Sequence, residues 1–486
     1  MNTMHETKHG GRGLALRLMM MVALLAVGAC DYLDPTQVEN PRTTADDLAQ
    51  AEEPTAALVP GLRAGFARLV NTQGVLPEVV SDNYSIHGTG LSGVYDFPAL
   101  ISPSDVNSTG DATGLYWHAQ ELKALANFVL DEIVPEDETA TASDIAEARY
   151  YRGMAYLALA ENFSAAPLES DGPAVPRTEL LSLAIADLEQ ATGLGTQTTA
   201  ALARAYRWAG NAAAATSAAD QALGADPTFV FLRDFDAASI ENTPWAFLVS
   251  RALQEMQPLP RLDFLDPKYL IRTQGIAVAK AEEMHLIKAE AALAGGNLAN
   301  AAQYLSNAVA LAHTRSTEDF IDDDPRLNAD LTVRPRDAEI TIAAESGAPF
   351  LSGLVQDRPA TVTAYTVAGT SLDADSVAAL TDETELWHAL WLARQEMFLL
   401  EGRRMADLGI RLPIMNREID ANPNIAPGDP GTETVVPSWI PAENALDTFS
   451  PSSPYDADEN LVETEVVMTI DMNRVLAENP AASPFN

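Results

Sequence analysis

The residues of this chain best suited to chemistry with a ligand are aromatics that fall outside helical patterns. Tyr84, His87 and Tyr95 stand in a stretch, 72–114, dense in Gly, Ser, Asp and Asn, beside Asp82 and Asn83. Trp245 and Trp439 stand in loop-like, Pro-flanked segments. An exposed ring offers a plane on which the C–H face of a sugar stacks, and neighbouring Asn, Asp and Arg donate to or accept from hydroxyls. The chemistry these residues suggest is binding. The competing reading is that the rings fill small loop cores.

Catalytic patterns are missing from the same inspection. There is no GxSxG, no P-loop and no GxGxxG within a strand–turn–helix pattern. Paired glycosidase carboxylates have no local motif, and nothing positive invokes them. No enzyme activity, catalytic residue or metal ligand is therefore assigned. Asp105, Asn107, Thr109 and Asp111 imitate the first half of a calcium loop, but Tyr116 stands where Glu is needed. Arg403 and Arg404 follow Glu401 in an apolar helical pattern and read as packing ties, since a guanidinium beside a carboxylate locks geometry through two parallel hydrogen bonds. Trp387 and Trp391, four apart, read as core, as do Trp117 and Trp208 on predicted helices.

The elements that carry these residues belong to a long, acidic chain. It has 486 residues, 69 Asp plus Glu, 30 Lys plus Arg, and a net charge of −39. That balance excludes nucleic acid as a partner, because phosphate binding needs clustered cations. It also excludes docking on anionic lipid through a basic face. Only five cations are lysines: Lys8, Lys123, Lys268, Lys280 and Lys288. Genome composition and adaptation to high salt both account for so few. A single cysteine excludes an intrachain disulfide framework and a Cys-rich zinc site.

That cysteine is informative. Lys8, Arg12 and Arg17 form a positive region, and Leu18 to Val27 an apolar run too short to span a bilayer. Val27-Gly28-Ala29-Cys30 resembles the lipobox of bacterial lipoproteins, which implies cleavage before Cys30 and a diacylglycerol/palmitate lipid on its thiol. The expected lipid is the only attached group, and it anchors the protein in the outer membrane, surface-exposed. No later stretch is apolar enough to cross a membrane.

Helical spacing appears at 61–71, 115–134, 144–163 with Asp144 as N-cap, and 385–408. Residues 203–213 (ARAYRWAGNAA) and 289–299 (AEAALAGGNLA) are alike: helix, Gly-Asn turn, Ala-rich helix. Both resemble the tetratricopeptide repeat. In the first copy its small-residue positions fall on Ala203, Ala215 and Ala222, its aromatic on Tyr206 and its proline on Pro227. In the second they fall on Ala289, Ala301 and Ala308. A looser third copy starts at Gly153, its second helix delayed to 179–192 by a Pro-rich insert. The two clear copies lie 86 residues apart instead of about 34, so the repeats are split by insertions.

Several strings together resemble one family, the SusD/RagB-like nutrient-uptake lipoproteins. They are the start Cys30-Asp31-Tyr32-Leu33-Asp34-Pro35, then 116–127 (YWHAQELKALAN), 146–168 (AEARYYRGMAYLALAENFSAAPL), 278–293 (VAKAEEMHLIKAEAAL) and 394–408 (RQEMFLLEGRRMADL). The last departs from the family pattern, with Gly409-Ile410 where Arg-Arg-Trp often stands, and 413–486 does not align by eye. The resemblance implies a mainly α, SusD-like fold, with irregular tetratricopeptide helix pairs and a loop-rich ligand-binding half. It implies a signal peptide at 1–29, a lipidated N-terminus and tether at 30–60, an N-terminal part at 61–275 and a C-terminal part at 276–486. It also implies a partner, a SusC-like TonB-dependent β-barrel transporter, and a glycan or other nutrient as ligand. A tetratricopeptide adaptor lipoprotein binding only protein is the alternative. It needs less loop than this chain carries.

Overall fold

A computed structural model of the chain describes residues 51–85, 93–106, 114–236, 238–250, 257–321, 341–343, 346–347, 349–352, 361–441, 446, 449–451, 456–457 and 460–486. The segment expected to be a signal peptide, residues 1–29, and Cys30 lie outside the described residues. Residues Glu53–Asn486 form one compact unit, mainly helical.

Helix α1 (Pro54–Gln73) begins with proline, whose missing N–H would have no partner at that position anyway. It buries Leu58, Leu62, Phe66 and Leu69 and packs on α2 (Leu115–Asn127) and α3 (Ala142–Asn162). The α-helical part of α2 is shorter than its apolar stripe, because Phe128–Ile133 widens into a π-helix. α3 starts before Asp144. Its cap is Thr141, whose hydroxyl oxygen accepts from the Asp144 amide.

The three repeat copies are helical hairpins. α3 pairs with α4 (Arg177–Gln190) across the Pro-rich insert, which is itself closed by an antiparallel pair, Ala165–Pro167 with Ala174–Pro176. Gly153 lies at the contact: a Cβ there would sit 2.9 Å from Leu188 Cγ. α5 (Thr196–Trp208) pairs with α6 (Ala212–Ala225), and α7 (Ala281–Ala294) with α8 (Leu298–His313). The shared Gly-Asn turn has a physical cause in both copies. Gly210 and Gly296 take φ of +72° and +71°, which ends one helix. Asn211 and Asn297 then cap the next through their side-chain oxygens.

The repeats split in sequence are contiguous in space. Strand Val230–Arg233 pairs antiparallel with Ile276–Lys280 and brings α7 beside α6. One buried cluster then joins Ala203, Ala215, Ala219 and Ala222 to Ala281, Met284 and Ile287. Small side chains let these helices approach closely.

The pattern predicting one helix over 385–408 is corrected by the structure. α9 spans Glu383–Met397 and α10 only Arg404–Asp407. Between them Leu400 and Gly402 have φ of +59° and +72°, which reverses the chain. A Cβ on Gly402 would lie 2.4 Å from the Gln73 carbonyl oxygen, so the turn closes against α1 only with glycine there. The irregular stretch 314–384 holds a strand, Thr317–Ile321, antiparallel to Thr361–Tyr365. Near the C-terminus lies a short helix, α11 (Met472–Ala477), packed on α9.

Candidate functional site

The turn between α9 and α10 gathers residues from across the chain. Arg404 donates from Nε and Nη2 to the two oxygens of Asp82, each at 2.6 Å, and from Nη1 to Asn473 Oδ1 at 2.8 Å. Gln395 Nε2 donates to Asp82 Oδ2 at 2.6 Å and to Asn83 Oδ1 at 2.9 Å. Asn83 Nδ2 donates to Glu78 Oε2, and the Gly402 amide donates to Glu78 Oε1. Lys268 and Lys280 both donate to Glu401 Oε1, at 2.6 and 2.7 Å. All of these side chains are buried.

A second set of charges ties the repeat hairpins to the same turn. Arg204 on α5 holds Glu161 on α3 with two hydrogen bonds. Arg207 on α5 holds Glu290 on α7 and lies 3.1 Å from Asp407, which Arg394 also grips at 2.8 and 3.0 Å. Burial opposes ionisation of Asp407, but Arg394 and Arg207 outweigh it and keep its carboxyl below the usual range. The turn is a structural hub, and Arg404 is a packing tie, as its sequence context suggests.

Glu78 is different, because among the described residues no cation pairs with it directly, Lys268 acting on it only from a distance. Burial pushes its carboxyl up to about 7, although N–H groups of Asn83 and Gly402 favour the charged form. The folded state therefore holds a proton there that the unfolded chain, with an ordinary value of 4.5, has lost. Its contribution to stability is full below pH 4.5 and is lost as pH rises through 7. Between pH 5 and 8 the wild type should lose up to about 3 kcal/mol that Glu78→Gln does not lose. Urea unfolding of both proteins across that range measures it. Parallel curves would remove Glu78 as the cause.

The other residues selected from the sequence are placed as follows. Asp82, Asn83 and Tyr84 are brought together inside, where the Tyr84 hydroxyl donates to Asp266 Oδ1 at 3.2 Å. Tyr95 is fully buried and its hydroxyl donates to the Asp105 carbonyl at 2.8 Å. Trp245 is 8% exposed, on the first turn of the helix Thr243–Ser250, with the Arg272 guanidinium over its ring. Trp439 is half-buried against Gly409. His87 lies outside the described residues. The exposed platforms expected at Tyr84, Tyr95 and Trp245 are thus interior rings. Long loops have few apolar side chains, and these rings are what they use to close on themselves. Trp387 and Trp391 stack at 6.2 Å in the core, as their spacing predicts.

What the loop-rich half does expose is a different set. Phe97 and Leu100, 37% and 63% exposed, are three apart in a 3-10 turn, where side chains at that spacing lie one above the other. The Thr434 hydroxyl donates to the Ile101 carbonyl at 2.6 Å and brings Val435, 45% exposed, to the same stretch of surface. Phe97 carries only a weak sequence signal, a ring before Pro98 in a loop; Val435 carries none. Elsewhere a cleft of about 300 Å³ opens between Pro441, Thr469 and the Arg474 and Glu478 side of α11. It has no aromatic wall, and its Arg474 already pairs with Glu385.

Among the described residues no group of His, Cys, Asp and Glu is arranged to hold a metal ion. Most of the calcium-like loop, 107–113, lies outside them, and Asp105 accepts from Ser102. The string His5-Glu6-Thr7-Lys8-His9 has zinc-peptidase spacing but falls in the signal segment, also outside them.

No protein-family model matches the chain, and no curated protein matches it. Solved structures do. A SusD superfamily protein of Bacteroides vulgatus is similar with a TM-score of 0.51 and 12% identity, over 78% of this chain and 99% of that one. NanU of B. fragilis is similar with a TM-score of 0.51 and 12% identity, over 84% and 98%. A SusD superfamily protein of Bacteroides thetaiotaomicron has a TM-score of 0.50 and 13% identity, over 79% and 99%. With its interrupted helical hairpins and the long inserts between them, the chain shares the fold of these SusD superfamily structures.

Proposed function

We propose that the protein is a SusD/RagB-type binding lipoprotein, anchored through Cys30 in the outer membrane and exposed at the cell surface. It captures a nutrient, foremost a glycan, and delivers it to a SusC-like TonB-dependent β-barrel. It performs no catalysis. The observation that carries this reading is the SusD-superfamily fold in a chain whose only cysteine ends a lipobox-like leader. The loop surface at Phe97, Leu100 and Val435 supports it, since an exposed ring beside apolar contacts suits a sugar face.

The test has two arms. Cys30→Ala should leave the membrane fraction or persist as uncleaved precursor; normal mass and normal partition with outer membranes would defeat the anchoring. A glycan array followed by calorimetry identifies the ligand, and Phe97→Ala should then bind it roughly 2–10-fold more weakly with unchanged melting. A protein that binds no glycan, but binds a protein partner through its helices, would be an adaptor instead.

A further inference from the structure

The indole of Trp208, at the end of α5, is surrounded by three guanidinium groups. Those of Arg177, Arg207 and Arg411 lie 5.5, 4.4 and 5.4 Å from its ring centre. Among the described residues each keeps one buried N–H nitrogen without a partner: Nη2 of Arg177, Nη1 of Arg207 and Nε of Arg411. Arg207 and Arg411 are 1% and 7% exposed.

The charge here is uncompensated. Arg207 has Glu290 and Asp407. Arg177 and Arg411 donate only to backbone carbonyls, of Ala160 for the first and of Ala406 and Ile410 for the second. Among the described residues neither has a carboxylate at ion-pair distance. Glu161 is close enough to favour their charged forms, but Arg204 already occupies both its oxygens. Burial and the neighbouring guanidinium of Arg177 push Arg411 below its ordinary value. Buried charges are normally paired, and buried N–H groups normally have acceptors. A chain with a net charge of −39 has no shortage of carboxylates, yet among the described residues none pairs with Arg177 or Arg411.

We propose that a small inorganic anion of the chloride class binds beside Trp208, held by Arg177, Arg207 and Arg411. It accepts the three orphaned N–H groups and offsets the surplus charge. Arg177, half-buried at the start of α4, is the most exposed of the three. Arg411 pairs through its backbone with Val435, so the site borders the exposed Phe97 surface, but it takes a different class of ligand.

The test is bromide scattering from crystals of the wild-type protein, combined with melting curves in sodium chloride and sodium gluconate at equal ionic strength. Chloride should raise the melting temperature by a few degrees over gluconate, and the rise should grow with the logarithm of chloride concentration, as binding to the folded state alone requires. Arg411→Met should lose that difference, and an anomalous bromide peak should lie within hydrogen-bond reach of at least two of the three guanidinia. No peak at that position, meaning that water alone fills it, overturns the proposal. So does a chloride effect that persists in Arg411→Met. Should that variant fail to fold, the bromide peak in the wild type decides alone.

Discussion

Glu401→Ala should unfold at a much lower urea concentration than the wild type. Two ammonium groups, Lys268 and Lys280, donate to one oxygen of this carboxylate, and all three side chains are buried. Backbone carbonyls of Leu399, Met397 and Val367 would remain as acceptors, but no carboxylate would. Breaking one buried pair by removing a partner costs about 3–5 kcal/mol, and this change strands two cations at once. The pH dependence identifies the cause. Burial already lowers Lys280 to about 8 against an ordinary 10.5, with Glu401 opposing the shift. Between those values the unfolded chain binds more protons than the folded one, so this lysine's contribution to stability rises with pH. Without Glu401 the depression deepens. The stability gap between variant and wild type should therefore narrow from pH 7 towards pH 10. A gap independent of pH would mean that the loss is one of packing.

Arg404→Ala should cost about 3–5 kcal/mol, because it takes the bidentate partner from the buried Asp82 carboxyl. Arg404→Lys should recover part of this, since it restores charge but not the fork that also reaches Asn473. Denaturant unfolding gives the magnitude, and ligand titration of the folded protein gives the control. Unchanged affinity is expected, as the residue lies in the interior. Full stability with lost affinity would move the ligand site to this turn.

The readable part of the sequence was the local part. Gly-Asn at 210–211 and 296–297 specifies a helix end and a helix start within two residues, and spaced alanines mark close helix contact. The tie at Arg404 was legible as a type, a guanidinium in an apolar pattern, although its partner Asp82 is 322 positions away. The break after Met397 was not legible. Apolar spacing runs on through 408, and what turns the chain is a left-handed Gly402 whose amide reaches Glu78 and whose Cα abuts Gln73. The burial of Tyr84, Tyr95 and Trp245 is not legible for a related reason. Whether a ring in a loop faces water or closes the loop is set by distant segments, as Tyr84 is held by Asp266 and Trp245 is covered by Arg272.

The lysines bear on how this protein can be handled at the bench. Lys123 donates to the Pro167 and Leu168 carbonyls, Lys268 and Lys280 to Glu401, and Lys288 pairs with Asp220 over the ring of Tyr304. None of these four is freely exposed. An acylating ester added to the native protein thus meets ε-amines that are enclosed and held in hydrogen bonds or an ion pair, and all four become reactive only when the chain opens. Mass-spectrometric counting of acylated lysines in 123–288 against time would act as a clock for opening of the fold. The same enclosure makes these amines poor handles for surface immobilisation or cross-linking to a partner, for which the many carboxylates offer the practical chemistry.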